Sequence, residues 1–344
     1  MSDTERMTGK SSTKTVMLPG ETRCGHRYAV LRIGEEDNGR EVLFFLKNRL
    51  GLSASRIGTV KFDPEGMLLN GARVNVRAAA FTGDLLRIRT DDPPAKQRLI
   101  PYPAPLRILY EDDALLAVDK PAGTVCHPSP GHAWDTISNM VRAYYDETAP
   151  GLQVHIAGRL DRDTSGVVVF AKNSMISAAL QKEQYKGDYV KEYLAVCHGR
   201  LQEKSGMITT RVDKWRDPAS GLLLLKRAEE DTGAEAETVY EVLCETPSWS
   251  LLKVTIRTGR MHQIRFHLSD LGHPLLGDPL YGDRASDLAL ADEERIQRTA
   301  LHAYRITMKH PETGKPLVIT SPVPQDMRCF QEGSVWIEEG KRSS

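Results

Sequence analysis

The residues able to do chemistry fall in three clusters. The tightest is GRLDRDTSG, Gly158 to Gly166, where Arg159, Asp161, Arg162 and Asp163 crowd together and the apolar run VVVFA follows at once. Thr164 and Ser165 can hydrogen-bond nearby backbone and stiffen the loop, and Gly166 allows a tight return into a strand. Asp161 would then be presented from a fixed turn, a carboxylate held between cations. The plainer reading is a charged surface turn, which for an isolated Asp-Arg-Asp run is the commoner one. The second cluster is VKEYLAV, where strand alternation puts Lys191 and Tyr193 on one face. Alone, it fits an edge strand with a half-buried tyrosine. The third is RTGRMHQIRFHLSDLGHPLLGDPLYGD, which holds Arg257, Arg260, His262, Arg265, His267 and His273. No carboxylate or cysteine stands at ligand spacing to the histidines, and the neighbouring basic residues oppose a dication, so a phosphate-binding groove fits better than a metal site. The cations alternate with Ile256, Met261, Ile264 and Phe266, which a purely solvated face would not require.

The elements that position these clusters can be read from the rest of the 344 residues. From Tyr28 to Arg89, EVLFFLKNRLG has helical spacing and stops at Gly51. SASRIGTVKF is a second helix with Ser53 as its N-cap, Asn70-Gly71 is a hairpin turn, and FTGDLLRIR is a closing strand. The prolines of DDPPAKQRLIPYPAPL mark a boundary. Beyond it, ILYEDDALLAVDKPAG, GVVVFA, KEYLAVCHG, TVYEVLCETPSWSLLKVTIR and RITMKHPETGKPLVITSP read as strands and hairpins, and SMISAALQKEQYKG as an amphipathic helix. The alternation is not a regular strand-helix repeat, so the expected fold class is α+β around a mixed, largely antiparallel sheet. The expected domains are a disordered tail over 1–26, a small α/β module over 27–90, a Pro-rich linker over 91–105, a catalytic domain over 106–328 and a tail over 329–344.

Lys plus Arg and Asp plus Glu number 46 each, so the net charge is zero. A neutral total can still hide a basic groove: Lys253 to Ser269 holds four Lys and Arg residues and no acid, and the acid-rich stretch Arg227 to Glu245 offsets it. The five cysteines are scattered without a CxxC pair, which fits a reducing, cytoplasmic setting. The polar start MSDTERMTGKSSTKT is not a signal peptide, and no apolar run is long enough to span a membrane.

Taken in order, RLDRDTSG, DKPAG (Asp119 to Gly123), KEYLA (Lys191 to Ala195), TGRMHQIRFH (Thr258 to His267) and GHPLLGD (Gly272 to Asp278) give the chain a resemblance to the RluA/RluD-type pseudouridine synthases. These enzymes isomerise uridine to pseudouridine in structured RNA. The resemblance covers about Leu106 to Val323. The block Tyr28 to Arg89 is similar to the alpha-L (S-four) RNA-binding domain through LGLSASRI, LLNGARV and GD.

The resemblance implies that Asp161 is the catalytic aspartate, acting on the anomeric carbon or the sugar next to it. Arg265 would pair with Asp161 and hold it charged and aimed, and Tyr193 would lie against the target base. Arg159 would enter the stack that the flipped base leaves. Arg162, Arg260, His262, Gln263 and Lys191 would contact RNA, and Leu275 and Leu276 would help wall the pocket. The partner would be RNA, with ribosomal RNA favoured over transfer RNA. No cofactor, metal or membrane would be involved, and the protein would be a monomer. The family usually carries histidine where this chain has Gly158, which gives Arg159 a more flexible base.

Two other classes fit parts of the sequence. In a haloacid-dehalogenase-like phosphatase, Asp161 and Asp163 would form the Asp-x-Asp motif, with Asp283 and Asp287 binding magnesium. A catalytically inactive RNA-binding assembly factor is the non-enzyme alternative, favoured only by Gly158.

Overall fold

The computed structural model describes residues 13–23, 25–92, 99–218, 221–229 and 232–331. They form two compact units. The smaller is built from the described residues before 97 with 173–179 and 311–313, and the larger from the rest.

The smaller unit runs β1 (Val16–Arg23), β2 (His26–Arg32), β3 (Arg40–Glu41), α1 (Val42–Phe44), α2 (Ala54–Phe62), β4 (Met67–Leu69), β5 (Ala72–Arg73), β6 (Ala79–Ala80) and β7 (Leu85–Arg89). Its five-stranded sheet has the order β1-β2-β7-β4-β5. Leu31, Val42, Phe45, Ile57, Leu86 and Ile88 lie in its core. Ser53 caps α2 by accepting from the Arg56 N–H at 3.2 Å. Asn70 and Gly71 turn the β4–β5 hairpin with φ of 51° and 87°, the left-handed pair that an Asn-Gly turn supplies. The helix expected over EVLFFLKNRLG instead splits into α1 and a π-wound turn over Phe45–Arg49. The wider turn lets the consecutive Phe45 and Leu46 both enter the core.

Three boundaries differ from the sequence expectation. Val16–Arg23 is not tail but strand, paired antiparallel with β2 through a bulge between Leu18 and Glu21. Pro19 and Gly20 break its alternation, so the sequence carries no strand signal there. The expected linker is held at both described ends. Asp91 accepts from the Arg27 N–H, and the Ile100 carbonyl accepts from Asn139 at 2.7 Å; residues 93–98 lie outside the described residues. Past residue 328 the fold continues to Phe330, which is buried edge-on against Trp249.

The larger unit runs β8 (Ile108–Glu111), β9 (Leu115–Lys120), α3 (Ile137–Thr148), β10 (His155–Ile156), β11 (Ser165–Ala171), α4 (Ser174–Lys186), β12 (Val190–His198), β13 (Ser205–Arg216), β14 (Leu223–Arg227), β15 (Ala234–Glu245), β16 (Trp249–Ile256), α5 (Gln263–Asp270), α6 (Arg284–Ala289), β17 (Leu301–Lys309) and β18 (Pro316–Thr320). Its sheet has the order β14-β13-β15-β16-β12-β17-β11-β9-β8, with β10 on β11 and β18 on β17. The β11–β17 pair is parallel and the other pairs antiparallel, so the class is the expected α+β with a mixed sheet. Every residue of β11 is buried, as its unbroken apolar run requires. β12 is interior, flanked by β16 and β17, rather than the edge strand its polar start allowed.

Gly166 fixes where β11 meets β17. Its φ is +113°, and a Cβ there would stand 2.2 Å from the Ala303 carbonyl oxygen. Gly166→Ala is therefore expected to lower stability by about 2 kcal/mol or more, from strain together with the backbone clash. Thermal unfolding would read this, and an unchanged Tm would contradict the close-approach account.

Candidate active site

Asp161 lies in the turn from β10 into β11, and the turn is braced from behind. Lys120, at the end of β9, is fully buried. Its Nζ donates to the carbonyls of Pro121 at 3.0 Å, Thr124 at 2.7 Å and Arg162 at 2.9 Å. The Gly123 N–H reaches the same Arg162 carbonyl at 2.9 Å. This is the structural meaning of DKPAG: a lysine tail and a turn N–H hold one carbonyl of the loop that carries Asp161. Burial pulls the Lys120 ammonium down to about 8. Asp119 accepts from the Ser321 hydroxyl at 2.8 Å. Arg298 donates to the Asp163 carbonyl at 3.2 Å, and the Leu160 N–H donates to the Cys126 Sγ at 3.2 Å. A loop with its carbonyls tied this way presents its carboxylate in one geometry.

Across the cavity, α5 presents Arg265. The Arg265 Nη1 donates to Asp161 Oδ2 at 3.2 Å. Its Nε and Nη2 donate to the two oxygens of Asp278, each at 2.7 Å. Arg265 and Asp278 are both 5 % exposed, so the pair is buried and bidentate. Burial pushes the Asp278 carboxyl up, but the guanidinium and the Leu280 and Tyr281 N–H bonds outweigh it and hold the group below the usual carboxylate range. Burial pulls Arg265 down, and the two carboxylates override that and keep it charged.

α5 is fixed in turn by polar side chains. His267 is buried between the hydroxyls of Thr210 at 2.8 Å and Thr238 at 2.9 Å; burial pulls its imidazole down to about 4, so it is neutral. Gln263 accepts from the Thr258 hydroxyl and the Arg260 N–H, and donates to the Glu237 carbonyl and Thr238. His262 enters α5 with φ of 54°, a left-handed position for a non-glycine. Its Nε2 is 3.9 Å from Asp161 Oδ2, and its Nδ1 is 3.3 Å from the Tyr281 hydroxyl.

A cavity of about 390 Å³ opens beside Asp161. Asp161, Tyr193, Arg265, Arg159, Arg260 and Lys191 line it, as do His262 and Gln263. Tyr193 is buried, and burial pushes its phenol well up, with the Asp161 charge adding to the push. A second cavity of about 560 Å³, lined by Arg162, Asp163, Cys126 and His127, shares Asp161 and Arg265 as its other wall. Arg159 is exposed and lines both.

Most of the residues expected to act together therefore meet around Asp161. Two expectations need correction. Leu275 and Leu276 are fully buried and line neither cavity. Leu275 packs in the main core and bridges to Cys197, while Leu276 packs with Trp249 and Met327. Their apolar side chains go to the interior, and their segment matters because it leads into Asp278. Gln263 is a brace whose amide is spent on the protein. Arg162 faces the second cavity, with its Nε on Asp163 at 3.2 Å.

Asp278, Lys120, Lys214 and Gln184 were not singled out from the sequence. The first two stood inside quoted motifs, but nothing linear shows that Asp278 clamps Arg265. Lys214 and Gln184 reach the cavity only through the fold.

A carboxylate clamped by a buried arginine, in a cavity rimmed by cations, is the site of an enzyme that acts on an anionic substrate. The RNA pseudouridylate synthase family matches residues 114–270. The uncharacterized RNA pseudouridine synthase YjbO of Bacillus subtilis (strain 168) is 33% identical over 83% of this chain and 96% of its own length. The ribosomal large subunit pseudouridine synthase D of Nitrosomonas europaea is 34% identical over 76% of this chain and 75% of its own. The chain belongs to the RNA pseudouridine synthase family, in the RluA/RluD-type group. It is an isomerase of RNA uridine.

The solved structure of human RNA pseudouridylate synthase domain containing 1 shares the fold, with a TM-score of 0.53 and 21% identity over 70% of this chain and 96% of that one. The phosphatase alternative does not agree with the family these relatives show, and its two distal aspartates are engaged elsewhere. Asp283 caps α6 through the Ala285 and Ser286 N–H groups, and Asp287 accepts from His198 and the Gly277 N–H. Among the described residues no group of three or more His, Cys, Asp or Glu could hold a metal ion, and no helix is long and apolar enough to cross a membrane.

Proposed function

We propose that the protein converts uridines of large-subunit ribosomal RNA to pseudouridine, with Asp161 as the catalytic carboxylate and the target base flipped into the cavity beside Tyr193. The observation that carries the assignment is the Asp161–Arg265–Asp278 array, which aims one carboxylate into the cavity. Isomerisation breaks the bond from the sugar to N1, turns the base and bonds C5 to the same sugar carbon. Each step needs the base out of its stack, at a cost of a few kcal/mol. Arg159, exposed and without a partner among the described residues, is suited to fill the gap left in the stack. Lys214 and Arg260 on the rim would meet phosphates.

The smaller unit would add RNA affinity as an S-four-like module. The rearrangement has no net redox change, so we assign it no cofactor. We place the protein in the cytoplasm as a monomer. The ribosomal target rests on relatives named for the large subunit.

Tritium release from RNA labelled at C5 of uridine tests the reading. Unmodified large-subunit RNA and transfer RNA are run separately. Release from ribosomal RNA is expected, release from transfer RNA alone would move the substrate, and binding without release would favour an inactive assembly factor. Arg159→Ala is expected to weaken binding and flipping while leaving the fold intact. If it left both affinity and turnover untouched, the wedge role would fail.

A further inference from the structure

Among the described residues, Lys191 is a cation with no carboxylate paired to it. It is only half-exposed, and no carboxylate, carbonyl or hydroxyl accepts from its Nζ among the described residues. The Tyr189 ring lies beside it, 5.4 Å from Nζ to centroid. Nζ also sits where a side chain on residue 158 would begin: a Cβ on Gly158 would stand 2.9 Å from it. Gln184, the other polar group there, is already donating to the Ala157 carbonyl at 3.3 Å. Burying an ammonium without a partner is costly, and desolvation pulls this one below its ordinary value. The same side chain lines the cavity that holds Asp161, next to Tyr193 on β12. The other cations there differ. Arg159, Lys214 and Arg260 are exposed at the rim, and Arg265 is taken by two carboxylates.

We infer that Lys191 is a catalytic residue whose ammonium donates a hydrogen bond to a carbonyl of the flipped uracil and stabilises the base as it departs from the sugar. The inference rests on the isomerase reading of this cavity. When the C1′–N1 bond breaks, its electron pair goes to the ring and spreads onto O2 and O4. That pair later forms the C1′–C5 bond, the C5 proton leaves and N1 gains one, so atoms and electrons balance without an added reactant. Lys191 transfers no proton; it supplies positive charge where negative charge develops, in a largely desolvated place where such a donor counts most. One ammonium suffices for both orientations of the base. Turning uracil about its N3–C6 axis exchanges N1 with C5 and also O2 with O4, so a carbonyl faces the same donor before and after.

The test is the single-turnover rate at saturating RNA for the wild type, Lys191→Met and Lys191→Arg, with RNA affinity measured beside it. Substrates carry uridine or 5-fluorouridine at the target position. Bond cleavage is read as loss of the starting nucleoside in nuclease digests, because 5-fluorouridine has no C5 proton to release. Lys191→Met is expected to slow uridine on the order of 100-fold, the size seen when one charge-stabilising donor is removed, with affinity nearly unchanged. Lys191→Arg keeps the charge and is expected to retain more activity. The defect should shrink on 5-fluorouridine, whose base is more acidic and needs less help to depart.

An equal defect on both bases would overturn the inference in favour of a structural role. Lost affinity with an unchanged rate would overturn it in favour of a phosphate contact. If Lys191→Met does not fold, Lys191→Gln carries the same comparison. Failure of the isomerase reading is separate: the wild type would then cleave neither substrate.

Discussion

Asp161→Asn is expected to abolish pseudouridine formation and leave RNA binding nearly unchanged. The amide is isosteric and can still accept from Arg265 Nη1, so the 3.2 Å contact survives in form. What it loses is the charge of the reacting carboxylate. Stability should change little, because Arg265 keeps its bidentate partner Asp278. The control is Asp163→Asn two residues on. That carboxylate pairs with Arg162 at 3.2 Å, away from Arg265, and its loss should leave turnover close to wild type. Tritium release and an RNA-binding assay on the same preparations read both. Full activity in Asp161→Asn, or equal losses in the two variants, would remove Asp161 from the centre of the reaction.

Elements of both units were partly legible from the sequence. A short apolar run rich in valine favours a buried strand, and β11 is one. Asn70-Gly71 could only be a tight turn, because both residues needed left-handed backbone. Tyr193 and Lys191 lie two apart on a strand, and both reach the cavity.

The misses share a cause. β1 forms because β2 offers it an edge, and nothing in VMLPGETR itself asks for a strand. Leu275 and Leu276 look like pocket wall in a motif next to the site, yet their burial is decided by strands far away in sequence, β12 among them. Asp278 and Lys120 act at a distance along the chain, one on Arg265 and one on the Arg162 carbonyl. A linear reading sees which residue types are present; only the fold shows which of them end up without water and therefore must be paired.

Asp278→Ala is expected to be the most damaging single change to the clamp. It leaves Arg265 buried with one hydrogen bond to a carboxylate where there were three. Removing one partner of a buried ion pair costs about 3–5 kcal/mol. For a unit of this size that lowers the Tm by roughly 6–20 °C. Activity should fall further than stability alone explains, because a freed Arg265 no longer aims Asp161, and a misplacement of about 1 Å can cost on the order of 100-fold in rate.

The pH dependence follows from the sign of the shift. The folded carboxyl of Asp278 is held below its usual range despite its burial. Its contribution is therefore complete above the ordinary carboxylate pKa of about 3.9 and is lost as pH falls through the lower, folded value. Arg265 stays charged throughout. The stability gap between wild type and Asp278→Ala should thus be constant near neutrality and close only in acid. Thermal unfolding of both proteins across that range measures it. A gap that stayed open in acid would mean that Asp278 supports the site by packing alone; a gap absent at neutral pH would mean that Arg265 is held by something other than this carboxylate.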